Sequence, residues 1–217
     1  MTTENFINKH IDLLINRYPD LECIKQEIVD AYLILETCYE SNHKLLIAGN
    51  GGSAADAEHI VGELMKSFKL KRPLSDSLKQ KLINIDSEQG SSLAEGLQRG
   101  LPTIALSGHP ALSTAYLNDV DGYSVFAQQV LGYGVSGDVF LGISTSGNSK
   151  NIVRAAIVAK ALGMKIIGLT GAKNSKLSDL ADVTIKVPEM ETFKVQEFHL
   201  PIYHCLCLML EEHFFGE

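Results

Sequence analysis

Two short stretches of this chain have the composition of anion-holding loops. One reads Gly49, Asn50, Gly51, Gly52, Ser53; the other reads Ser144, Thr145, Ser146, Gly147, Asn148, Ser149. Glycines let main-chain N–H groups approach a ligand closely and accept positive φ. Hydroxyls donate hydrogen bonds to a phosphate without adding charge, and the second stretch is rich in them. A helix opening at either stretch would add free N–H groups and partial positive charge. Ser53 is placed to cap such a helix with Asp56 as reciprocal partner, and Asn148 or Ser149 to cap the second. Neither stretch is a nucleotide loop: no Gly-Lys-Ser/Thr follows the first, and the G-x-G-x-x-G spacing is missing. Alone, each also reads as a tight, polar turn.

Titratable groups follow. His59 and Glu63 are four residues apart, which puts them on one face of a helix. Gln196, His199 and His204 lie in a run with Leu200, Ile202, Leu206, Leu208 and Met209, so a buried helix carries polar groups that need partners. Gln196 and His204 are eight apart, about two turns, and project to a similar side. Spacing alone leaves two readings open for each group: a reactive cluster, or surface contacts and a satisfied core histidine. Pro201 is expected to kink this helix or start a new turn.

The elements that must position these residues are also legible. A chain of 217 residues, 45% hydrophobic, can bury one α/β core with an insertion. Five nearly continuous apolar runs, at 44–49, 102–107, 138–144, 165–171 and 182–187, read as strands buried on both faces. Helical patterns separate them at 54–68, 124–131 and 149–162, with Gly163 where a C-terminal cap glycine belongs. Alternation of this kind predicts a five-stranded parallel sheet in a three-layer α/β/α sandwich, with ligands beyond the carboxyl ends of the strands. Both candidate loops fall there. Residues 1–41 read as an N-terminal helical segment broken at Pro19 and Asp20. Residues 73–101 read as an insertion with short helices at 75–83 and 87–97, a surface elaboration or an oligomer contact.

A net charge of −7 argues against nonspecific nucleic-acid binding, which needs a basic surface. The four cysteines, Cys23, Cys38, Cys205 and Cys207, form no C-x-x-C pair and read as buried thiols in a reducing cytoplasm. No stretch approaches the roughly 20 apolar residues of a membrane span, and the first twelve residues lack the apolar core of an export signal. The expectation is a cytoplasmic protein with no nucleic-acid or membrane partner.

The pair Gly-Asn-Gly-Gly-Ser and Gly-Ile-Ser-Thr-Ser-Gly-Asn-Ser resembles the sugar isomerase (SIS) domain, and within it the phosphoheptose isomerases, which interconvert sedoheptulose 7-phosphate and a D-manno-heptose 7-phosphate. The resemblance runs from the N-terminal helices to about Phe215, with 73–101 as the main unmatched block, and implies a single flavodoxin-like SIS domain over 1–217. It implies a phosphate held by Ser53, Ser144, Thr145, Ser146 and Ser149. Asn50, Gly51, Gly52 and Gln196 would lie beside the substrate, and Asn118 and Asp119 in a loop near it. Aldose–ketose isomerisation needs a base near the carbon and an acid near the carbonyl; the resemblance assigns these to Glu63 and His204. It also implies one zinc ion per subunit, on His59, Glu63, Gln196 and His204, and a homotetramer with active sites at its interfaces. Phe193 departs from the family, which carries an acidic residue there. The alternative is a noncatalytic SIS module that binds a phosphosugar as a regulator or joins a replication initiator. Retention of both Glu63 and His204 favours the enzyme.

Overall fold

A computed structural model describes residues 3–216, with side chains from Phe6 onward. Five strands form one parallel sheet: β1 (Leu45–Ala48), β2 (Thr103–Ala105), β3 (Val139–Ile143), β4 (Lys165–Thr170) and β5 (Val183–Lys186). Their order is β2-β1-β3-β4-β5, as the apolar runs predict. β1 and β3 are buried at every position because both sheet faces are covered. Alternate residues serve opposite layers: Leu45 and Ile47 join one core, Leu46 and Ala48 the other.

The first layer holds α1 (Thr3–Arg17), α2 (Lys25–Glu40), α3 (Gly52–Met65) and the long α10 (Thr192–Phe215), all contributing to one core. A 3-10 turn, Pro19–Ile24, separates α1 from α2 at the expected break. The second layer holds α7 (Val125–Tyr133) and α8 (Lys150–Ala161). α8 ends as expected: Gly163 has φ +75°, and Met164 and Gly163 donate to the carbonyls of Ala159 and Lys160. The 73–101 segment forms two helices, α4 (Asp76–Ile85) and α5 (Ser87–Gly96), packed on each other. Two short helices, α6 (Pro110–Tyr116) and α9 (Lys176–Leu180), have no counterpart in the sequence reading; at seven and five residues they are too short to show periodicity.

Two expectations are corrected. α10 runs through Pro201 without a break; packing against α1, α2 and α3 outweighs a helix-interior proline penalty of about 3 kcal/mol. Cys23 is exposed, while Cys38, Cys205 and Cys207 are buried. It lies on the 3-10 turn, which buries only Leu21 and Ile24.

The chain steps from β1 to β2 on one side, then returns to place β3 on the other. Adjacent strands β1 and β3 therefore lead into loops that diverge, and the two candidate loops flank the resulting crevice.

Candidate active site

The first loop turns directly from β1 into α3. Gly51, with φ +55°, is the N-cap, and no side chain caps this helix. Ser53 therefore lies inside the first turn, buried, with its N–H on the Asn50 carbonyl at 3.1 Å. The expected Ser53–Asp56 capping box is absent: with glycine supplying the left-handed turn, the main chain closes on itself. Asp56 instead accepts from the Tyr203 hydroxyl at 3.3 Å.

The second loop spends part of its hydroxyl content internally. Ser144 and Ser149 share a hydrogen bond at 3.0 Å, so Ser149 occupies the N-cap position of α8 without capping it. Asn148 does not cap α8 either; its Oδ1 receives the Lys176 N–H at 3.1 Å, tying the loop to α9. Thr145 is partly buried and Ser146 exposed. The two loops are joined by a reciprocal amide pair between Asn50 and Asn151, at 3.0 and 2.8 Å. Nothing in the sequence marks Asn151 apart from its place one residue into a helix.

Asn118 and Asp119 are exposed on a π-helical turn, Leu117–Asp121, and bond to each other at 2.8 Å. Their neighbours Leu117 and Asp121, with Asn50, Tyr123 and Asn151, line a cavity of about 550 Å³. Asp121 there pairs with Arg154.

The titratable groups lie along the seam between α3 and α10. On α3, Gly52, Asp56, His59 and Glu63 recur at helical spacing on the face toward α10. A side chain at Gly52 would strike the Gln196 amide. The Tyr203 hydroxyl reaches Asp56 and, at 2.9 Å, His59 Nδ1. His59 Nε2 meets Glu63 Oε1 at 3.1 Å. The His204 ring stands nearly perpendicular to that of His59 with centroids 5.0 Å apart, and lies 5.4 Å from that of Phe68. Glu63 Oε2 and His204 Nε2 are buried and have no hydrogen-bond partner, although the Lys66 ammonium lies 3.8 Å from Glu63 Oε2.

Burial and the neighbouring His59 ring hold the His204 pKa below the usual imidazole range, so its ring is neutral near pH 7. Burial raises Asp56, against the opposing effect of the Tyr203 hydroxyl. One arm of His204 also borders a cavity of about 230 Å³ shared with His10, Arg17 and Leu200.

The structure separates two residues that spacing grouped together. Gln196 sits at the level of Gly52, eight residues before His204, and so about 12 Å away along α10. Glu63 lies eleven residues beyond Gly52, about 16 Å along α3. Among the described residues no three His, Cys, Asp or Glu side chains converge to hold a metal. Phe193 is exposed in the first turn of α10.

His199 takes no part in the cluster. It is fully buried and neither ring nitrogen has a well-formed hydrogen bond. Burial pulls its pKa down to about 4, only partly offset by the nearby Thr170 main chain. Below pH 6.5 the unfolded chain takes up a proton there that the folded protein refuses, so stability falls as pH falls. The contribution lost between neutral pH and pH 4 is about 3 kcal/mol. Urea unfolding at pH 7 and pH 4 should show His199→Leu losing about that much less than the parent protein; equal losses would contradict the reading.

A family model described as the SIS domain matches residues 87–171. The chain is 40% identical over 177 residues to the phosphoheptose isomerase of Aneurinibacillus thermoaerophilus, covering 82% of this chain and 76% of the relative. It is 40% identical over 190 residues to phosphoheptose isomerase 2 of Campylobacter jejuni, covering 88% and 82%. Among solved structures, a phosphoheptose isomerase from Francisella tularensis aligns with a TM-score of 0.74 at 30% identity, covering 98% of this chain and all of the other. The phosphoheptose isomerase from Neisseria gonorrhoeae aligns at 0.69 and 30% identity, covering 95% and 98%.

Proposed function

Because this chain belongs to the phosphoheptose isomerase family, we propose that Glu63 and His204 carry the proton transfers by which it interconverts sedoheptulose 7-phosphate and D-glycero-D-manno-heptose 7-phosphate. It is a phosphosugar isomerase, and its relatives give the noncatalytic alternative no support. The observation that carries the assignment is that Glu63 Oε2 and His204 Nε2 are buried without a hydrogen-bond partner.

The ketose has its carbonyl at C2 and a CH₂OH at C1. Glu63 takes a C1 proton while an N–H of His204 donates to the C2 oxygen, giving an enediol. Glu63 then returns its proton to C2 while His204 takes the O1 proton in place of the one it gave, yielding the aldose; no atom is gained or lost. A neutral His204 donates without needing to be an imidazolium, and its N–H is a better match to an enediolate oxygen than a strong acid would be. The His59 bond to Glu63 Oε1 orients the carboxylate and leaves Oε2 for the carbon acid. Ser53, Ser144, Thr145, Ser146 and Ser149, with the main chain of Gly51 and Gly52, hold the phosphate; Asn50, Asn118, Asp119 and Gln196 lie along the sugar. The test is conversion of sedoheptulose 7-phosphate to the aldose phosphate by the purified protein. No conversion, with binding retained, would overturn the assignment.

The assembly is a homotetramer of single SIS domains spanning 1–217, with 73–101 as an elaboration, in the cytoplasm. Two features support association. Leu13, Leu33, Leu78, Ile85, Leu93 and Leu97 are exposed, Ile85 at 84%, and α4 buries none of its residues. The glycine loop and the Glu63 main chain are also about 16 Å apart along α3, which suits a site completed across subunits. Zinc fits the same picture only in part. His59, Glu63 and His204 are ligand types it accepts, while the Gln196 amide lies beside Gly52, two turns from His204 on α10, and would have to swing toward His204 to join them. Sedimentation at micromolar concentration should give a tetramer, and metal analysis of that tetramer one zinc per subunit that is lost in His204→Asn. A monomer would contradict the shared site. No helix among the described residues is long and apolar enough to cross a membrane.

A further inference from the structure

Arg72 and Glu211 form an ion pair with side-chain exposures of 0% and 1%, Nη2 lying 2.9 Å from Oε1. A buried ion pair is a poor source of stability, because desolvation offsets most of its attraction. What it does supply is fixed geometry, and the remaining arms of this pair end on main-chain groups of Glu63, Leu64, Phe68 and Lys69, next to the proton-transfer residues.

Arg72 Nη1 donates to the Leu64 carbonyl at 2.7 Å and Nη2 to the Glu63 carbonyl at 2.9 Å. Both carbonyls belong to the last turn of α3, which has no intrahelical donors for them. The Arg72 guanidinium thus closes the helix end that carries Glu63. Glu211 sits seven residues, two turns, beyond His204 on α10. Its two oxygens accept the main-chain N–H groups of Phe68 and Lys69, each at 2.8 Å. Phe68 is the residue whose ring packs on His204. Phe215 covers the guanidinium, with its centroid 4.5 Å from Cζ, and keeps water out.

We propose that Arg72, anchored by Glu211, is a positioning residue that sets the register of α3 against α10 and so the placement of Glu63 relative to His204. It touches no reacting atom. This inference rests on the assignment of Glu63 and His204 as the proton-transfer pair.

The test uses the full-length protein with Arg72→Lys, which keeps the charge and loses the planar fork, and Glu211→Gln, which keeps shape and one acceptor. In folded protein, kcat should fall about 10- to 100-fold, the scale of a misplacement near 1 Å. KM and the affinity for inorganic phosphate should change less than twofold. In a Glu63→Gln background, Arg72→Lys should cause no further loss, since its effect runs through Glu63. If Arg72→Lys fails to fold, Glu211→Gln carries the same readouts. The double variant Arg72→Met, Glu211→Leu restores an apolar fit; stability should return without kcat. Recovery of kcat in that double variant, or full kcat in the folded single variants while Glu63→Gln is inactive, would overturn the positioning role. An active Glu63→Gln would instead overturn the assignment beneath it.

Discussion

Glu63→Gln is expected to lower turnover about 10²- to 10⁴-fold, and His204→Asn to do the same, the usual effect of removing a positioned base or acid. Gln keeps the size of Glu63 and an oxygen for His59 to bond, so the α3–α10 seam survives. Asn keeps a donor at position 204 but shortens its reach. Both proteins should melt near the parent temperature and hold a phosphosugar with nearly the parent affinity, because the phosphate seat lies elsewhere on α3 and α8. The pH profile adds a sign. His204 is held neutral by burial and by His59, so turnover of the parent protein should fall as pH drops through its lowered pKa and the ring becomes an imidazolium. That acid limb should be missing in His204→Asn. Normal turnover in both variants would refute the assignment.

Gly147→Ala is expected to damage the phosphate seat rather than the chemistry. Gly147 has φ +63°, where an L side chain costs about 1–2 kcal/mol. A Cβ there would also overlap the Ser175 hydroxyl, and overpacking costs about 1–3 kcal/mol more. Ser175 is not free to yield, since it forms the capping box of α9 with Ser178. The second loop must therefore shift and carry its hydroxyls out of register. KM should rise about tenfold with little change in kcat, the signature of lost uniform binding, and the melting temperature should drop. Unchanged KM and stability would show that the loop does not hold the substrate.

The sheet is legible in the sequence because strands buried on both faces leave unbroken apolar runs, and both loops fall at the strand ends where the switch point lies. His59 and Glu63 do share a face, as their spacing requires. Gln196 and His204 share a side of α10 yet lie two turns apart, and angular spacing says nothing of that axial distance. Asp56 and Tyr203 are the residues the sequence conceals. A local capping rule suffices to explain Asp56 in the sequence, whereas its partner in the fold is 147 residues away. The ion pair of Arg72 and Glu211 is hidden for the same reason: charged residues read as surface until the fold encloses them. Pro201 shows the reverse, a local signal for a break that tertiary packing overrides.

The most direct test of the central claim is proton NMR of sedoheptulose 7-phosphate with the purified protein in D₂O. The expected result is the aldose heptose 7-phosphate, with solvent deuterium appearing at the carbons between which the proton moves, and neither change with Glu63→Gln. Bound sugar phosphate that stays a ketose and gains no deuterium, with zinc supplied, would contradict it.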